Sequence, residues 1–235
     1  MTARKTAILI SGRGSNMSSL IRAAAEADYP AEICGVISDN ADAPGLAAAE
    51  AAGIPALAVT RGAFPDRQAY EAALDEALAG LGAEIVCLAG FMRILSPDFV
   101  GRFQGRMINI HPSLLPLFKG LETHKRVLEA GMRIHGCTVH FVTAEMDDGP
   151  IIAQAAIPVL PQDDEEKLAA RILKMEHRIY PLALALVASG KARMEGGRTV
   201  FDRNANIGWG ETAALTVPSS IEDVFDLEDL ARLTP

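Results

Sequence analysis

The chain has 235 residues, of which 49% are hydrophobic, 22% charged and 5% aromatic, and its formal net charge is -8. That composition fits a folded domain with an aliphatic, alanine-rich core and excludes a disordered chain. The acidic balance argues against a general nucleic-acid surface, and no apolar run approaches the roughly 20 residues of a membrane span.

In chain order, short β-type runs alternate with alanine-rich helical stretches through the first 160 or so residues, the pattern of a parallel sheet covered by helices. Thr6–Ile10 reads as the first strand. Arg4 and Lys5 precede it, but the apolar run stops at Ser11, too short for a signal peptide, so a cytoplasmic protein is expected. Asn16–Ala27 reads as a helix with Met17, Leu20, Ile21 and Ala24 on one face. Strands are expected at Glu32–Ile37, Ala56–Val59, Ile85–Leu88 (mid-sheet) and Met107–Ile110, and helices at Pro44–Ala52, Asp66–Leu78 and Thr123–Glu129. From His135 the texture changes. Cys137–Val142 and Ile151–Val159 read as two longer strands, and Asp164–Val187 as a long helix that Pro181 should break or kink. Gly196-Gly197 between Ala192–Glu195 and Thr199–Asp202 signals a hairpin. A peripheral tail is expected over 204–235, with an acidic amphipathic stretch around Ile221–Leu233, after a domain spanning 1–203.

Cys34, Cys87 and Cys137 are odd in number and far apart, which suits three buried, reduced thiols better than disulfides or a zinc site. His135 and His140 are five apart in an expected strand and so face opposite ways. With no His-Glu-x-x-His spacing either, no metal is expected.

Two stretches carry chemistry. Ser11-Gly12-Arg13-Gly14-Ser15-Asn16 lies between a strand and a helix, where glycines let the backbone approach a ligand and unpaired helix N–H groups favour an anion such as a phosphate. It is neither the dinucleotide fingerprint nor a Walker loop, and a plain capped turn accounts for it as well. Asn109-Ile110-His111-Pro112 ends a buried strand, and alternation puts Asn109 and His111 on one face. An asparagine amide and an imidazolium suit a developing oxyanion, although loop backbone could equally satisfy both. Asp147-Asp148-Gly149-Pro150 is ordinary turn chemistry. Asp147 gains a role only where the fold returns it to His111.

Together with Leu88–Pro97, Asn109–Pro116, Gly136–Thr143, Met146–Ile152 and Glu176–Pro181, in that order, these motifs resemble the folate-dependent glycinamide ribonucleotide formyltransferases of purine biosynthesis. The resemblance covers roughly residues 6–195. It implies an α/β, Rossmann-like formyltransferase fold: a mostly parallel twisted sheet, helices on both faces and an antiparallel C-terminal portion. It further implies that Asn109, His111 and Asp147 are catalytic and that Gly14, Ser15 and Asn16 hold the substrate phosphate. Glu176 would lie near the substrate's amino end, or else be a solvated helix carboxylate. Arg67 and the stretch Met92, Arg93, Ile94 and Leu95, with Asn109, would contact 10-formyltetrahydrofolate, the formyl donor, largely through backbone. The amine of glycinamide ribonucleotide would be the acceptor, with no metal, nucleic acid or membrane involved, in a monomer or homodimer.

Three alternatives remain at this level. A formyltetrahydrofolate deformylase would use a similar trio, but normally carries an N-terminal domain for which a strand at Thr6 leaves no room. A methionyl-tRNA formyltransferase would need a basic surface. A folate- or nucleotide-binding module would hold ligand without turnover.

Overall fold

Apolar runs without alternating polar partners can be satisfied only between two covered faces of a sheet. A computed structural model, which describes residues 2–204 together with Gly208, Leu215 and Val217, places them there. β1 (Arg4–Ile10), β2 (Ala31–Ser38), β3 (Ala56–Ala58), β4 (Ile85–Leu88) and β5 (Met107–His111) run parallel. β6 (Ile134–Phe141) and β7 (Ile151–Pro158) then continue the sheet antiparallel, in the order β3-β2-β1-β4-β5-β6-β7. β8 (Ala192–Glu195) and β9 (Arg198–Phe201) form a separate hairpin around the expected glycine pair. The Rossmann-like fold and the mid-sheet position of β4 are thus as expected.

The helices are α1 (Ser15–Ala24), α2 (Pro44–Ala51), α3 (Arg67–Gly80), α4 (Pro97–Arg102), α5 (Thr123–Glu129) and α6 (Glu165–Ala188). Alternation along the strands sends Ile8, Ile10, Cys87, Ile108 and Val139 toward Met17 and Leu20 of α1 and Ile172 and Leu184 of α6. It sends Leu9, Val86, Leu88 and Met107 toward Tyr70 and Leu74 of α3 and Phe99 of α4. Two half-cores result, one on each face.

Several elements differ from expectation. α4 was not anticipated, although Ser96 caps it by accepting from the Phe99 amide and Pro97 stands in its first turn. β6 begins three residues earlier than expected, because the alternation that pairs it with β7 already operates at Ile134. Pro181 does not break α6, which runs through it to Ala188. An interior proline costs about 3 kcal/mol, and burial of Tyr180, Ala183 and Leu184 on either side of the loss offsets it. Tyr29 also donates its hydroxyl to the Pro181 carbonyl at 2.6 Å. Cys87 and Cys137 are buried as expected, but Cys34 is only half-buried, since a bulge opposite Thr6/Ala7 displaces it from the ladder. The expected acidic stretch at Ile221–Leu233 lies outside the described residues.

Candidate functional site

β1 leads to β2 and β3 on one side, while β4 leads to β5 and β6 on the other. The strand order therefore reverses between β1 and β4, the switch point where open α/β sheets leave a crevice outside the carboxyl ends of their strands. The candidate residues gather along that end. The loop after β1 is fixed to the loop after β4 by two bonds: Ser11 N–H donates to Gly90 O at 3.2 Å, and Met92 N–H donates to Ser11 Oγ at 2.8 Å.

Gly14 takes the position before α1 in a left-handed conformation, φ 70°, and no side chain caps the helix. The first-turn amides of Ser15 and Asn16 therefore keep their donors for an anion. The Asn16 side chain does something else. It donates from Nδ2 to Glu176 Oε2 of α6 at 2.7 Å, while Asn16 Oδ1 is buried without a partner. Glu176 is buried, which removes the alternative of a solvated helix carboxylate. Burial pushes its carboxyl above the usual range, against the lowering effect of the Asn16 bond.

Asn109 and His111 share the parity of Met107 and so emerge on the α3–α4 face of β5. Opposite them in β6, Asn109 pairs with His140 and His111 with Thr138. Asp147 lies in the nine-residue connection to β7 and is left-handed itself, φ 51°. The turn folds back, so that Asp147 Oδ2 lies 3.4 Å from His111 Nδ1. Both side chains are about nine-tenths buried, at 8% and 11% exposure, which strengthens any charge they carry. His111 Nε2 meets the Phe118 carbonyl at 3.0 Å. A carbonyl only accepts, so that contact suits a proton on Nε2, while Nδ1 faces the carboxylate.

His140 supports the trio. Its Nδ1 faces the Phe141 carbonyl at 2.9 Å and must carry the proton, which leaves Nε2 to accept from Asn109 Nδ2 at 3.2 Å. Burial pushes the imidazole below its ordinary range, partly offset by the Phe141 carbonyl and Asp147, and so favours this neutral form. Spacing in the sequence bears on His140 only as a metal ligand, and no spacing signal links it to Asn109. Among the described residues no group of His, Cys, Asp and Glu is placed to hold a metal ion.

The remaining candidates form a wall on the α3 side. Arg67 donates from Nη2 to Ile94 O at 2.8 Å and from Nε to Glu71 Oε1 at 3.0 Å. Burial raises the Glu71 carboxyl, but the Ser96 hydroxyl and amide and Arg67 outweigh it and leave the group below its usual range. Glu71 thus ties the 91–96 loop to α3, a role the sequence does not announce. Arg93 reaches back to Asp39 at 2.5 Å, and Leu95 is buried. Met92 and Ile94 are 69% and 73% exposed, an apolar lip beside the crevice. The Asn16–Glu176 pair and the Asn109–His111–Asp147 trio therefore lie at one end of the sheet but on opposite faces.

A mostly parallel sheet of this order, extended by an antiparallel pair, is the architecture of the formyl transferases. The formyl transferase family matches residues 4–184, and the chain belongs to it. It is 46% identical to phosphoribosylglycinamide formyltransferase of Escherichia coli (strain K12) over 195 residues, 83% of this chain and 92% of that one. It is 50% identical to the trifunctional purine biosynthetic protein adenosine-3 of Bos taurus over 195 residues, but spans only 19% of that protein's length. Among solved structures, glycinamide ribonucleotide transformylase 1 from Symbiobacterium toebii superposes with a TM-score of 0.82 at 48% identity, over 85% of this chain and 94% of that one.

Proposed function

We propose that the chain transfers the formyl group of 10-formyltetrahydrofolate to the amine of glycinamide ribonucleotide, giving N-formylglycinamide ribonucleotide and tetrahydrofolate. The observation that carries this reading is the trio itself: His111 between two acceptors, with the Asn109 amide beside it on the same strand face. The amine attacks the formyl carbon and a tetrahedral intermediate with an anionic oxygen forms. The Asn109 N–H not engaged with His140 donates to that oxygen, and the positive charge of the His111 imidazolium stabilises it. Asp147 balances the imidazolium and, through water, helps move a proton from the attacking nitrogen to the departing folate nitrogen.

The free amides at the start of α1 suit the ribonucleotide phosphate, and Glu176 with the unpartnered Asn16 Oδ1 suits donors on the same substrate. This refines the expectation for Asn16: its backbone, not its tied side-chain amide, faces the phosphate. On the opposite face, the exposed Met92 and Ile94 and the backbone of Arg93 and Leu95 suit a flat pterin, with Arg67 fixing the loop. The two substrates thus approach the trio from the two faces of the sheet.

The test is a spectrophotometric assay with 10-formyl-5,8-dideazafolate, run with and without glycinamide ribonucleotide. Deformylation that requires the nucleotide and disappears in His111→Ala supports transfer. An equal rate without the nucleotide makes the chain a hydrolase, and folate binding without turnover makes it a binding module.

A further inference from the structure

His111 and Asp147 are each held from outside the sheet by one loop, residues 117–122. Its Phe118 carbonyl meets His111 Nε2 at 3.0 Å, and its Gly120 N–H donates to Asp147 Oδ2 at 2.9 Å. Asp147 Oδ2 is also the oxygen that faces His111 Nδ1. Two backbone groups of one short segment thus set the position of both partners.

The near side of this loop is well anchored. Ser113 Oγ donates to Leu117 O at 2.7 Å, and Thr138 Oγ1 accepts from the Leu115 amide at 3.1 Å. Beyond Leu117 the backbone is unfavourable. Phe118 and Glu122 both have φ 54°, left-handed for residues with a Cβ, and Gly120 has φ 79°. Such a segment does not hold its shape unaided, and α5 adds little, because Glu122 precedes it without a side-chain cap.

Arg126, in the last turn of α5, supplies the missing anchor. Its Nη1 donates to Lys119 O at 2.6 Å and to Leu121 O at 3.3 Å, bracketing Gly120 from both sides. Its guanidinium also lies over the Phe118 ring, 5.5 Å from the centroid. Lys119 adds an ion pair to Asp148 in the facing turn. One planar side chain therefore touches Phe118, Lys119 and Leu121, the residues between which the two functional backbone groups are carried. A lysine ammonium could donate to both carbonyls but has no planar guanidinium to lay over the Phe118 ring.

We propose that Arg126 is a positioning residue for the formyl-transfer reaction, acting through the 117–122 loop on His111 and Asp147. This rests on the function proposed above. Arg126 touches neither the trio nor the elements that would hold the nucleotide, so its loss falls on turnover and spares nucleotide binding.

The experiment compares Arg126→Gln, Arg126→Lys and, as a neighbouring surface control, Lys125→Gln. In R126Q, kcat falls about 10- to 100-fold while KM for glycinamide ribonucleotide stays within about twofold. R126K recovers part of kcat, and K125Q behaves as wild type. In an Asp147→Asn background R126Q costs little more, since both changes act on one unit. Hydrogen exchange at the Gly120 amide accelerates in R126Q at an unchanged thermal midpoint. A kcat within twofold of wild type, a matching loss in K125Q, or unaltered Gly120 exchange overturns the proposal. If the wild-type chain does not use the nucleotide, the functional reading fails separately, and Gly120 exchange still decides whether Arg126 holds the loop.

Discussion

Gly149→Ala tests whether the geometry of the trio depends on the turn that carries Asp147. A Cβ at position 149 would stand 1.6 Å from the Phe141 carbonyl oxygen, where contacts under 3.0 Å essentially never occur. Both groups are backbone, so no side chain can rotate away, and the turn must lift by about 1.4 Å. Asp147 stands two residues upstream, and its 3.4 Å approach to His111 Nδ1 is already at the long end, so lifting the turn parts the two. A displacement near 1 Å in a reacting constellation costs on the order of 100-fold in rate, about 2.7 kcal/mol of transition-state stabilisation. The same shift presses on the Phe141 carbonyl that sets the His140 tautomer, and overpacking of this kind destabilises by about 1–3 kcal/mol. The expected result in the dideazafolate assay is therefore a kcat near one-hundredth of wild type with a modestly lowered melting temperature. A G149A enzyme whose kcat stays within about threefold of wild type would refute the view that the turn's backbone fixes the trio.

Other outcomes follow from single contacts. Burial raises Glu176, so the native state holds its proton more tightly than the unfolded chain. Its favourable contribution is present below the ordinary value of 4.5 and is lost as pH rises through the raised value. Glu176→Gln keeps an acceptor for Asn16, so it should melt higher than wild type at pH 7, with the gap closing near pH 4.5; a constant gap across that range refutes the assignment. His135 is depressed to about 4 by burial and by His124, whose Nδ1 lies 3.1 Å from its Nε2. Stability tied to it is full above 6.5 and falls as pH drops toward 4, so the acid slope in thermal melts should flatten in His135→Gln. Arg67→Met frees the 91–96 loop at Ile94 and should raise KM for the folate about tenfold at unchanged nucleotide KM, measured in the same assay.

Much of this molecule is legible in the order of its residues. Unbroken runs such as Ala7–Ile10 and Ile85–Leu88 specify strands buried on both faces, and Asp66 and Asp164 mark helix starts where they indeed accept from Ala69 and Lys167. Parity alone puts Asn109 and His111 on one face, because side chains alternate along a strand whatever surrounds it. Local rules fail where a remote contact outweighs them. Pro181 should interrupt a helix, yet packing against the sheet carries α6 past it. Asn16 sits in a loop that suggests a phosphate ligand, and only the docking of α6 on α1, 160 residues away in sequence, commits its side chain to Glu176.

The site divides the same way. Sequence determined which groups are available: an amide and an imidazole in register, a carboxylate in a glycine-containing turn, and a helix start after a glycine loop. Tertiary structure decided which of them meet. Antiparallel pairing of β5 with β6 brings His140 to Asn109 across 31 residues, and the return of the 142–150 connection brings Asp147 to His111. Arg126 and Glu71 are visible only there, since each acts on loop backbone: Arg126 on carbonyls 7 and 5 residues before it, Glu71 on an amide 25 residues after it. Such contacts leave no period or spacing in the chain, because a hydrogen bond to a carbonyl depends on where the backbone passes and not on which residue carries it.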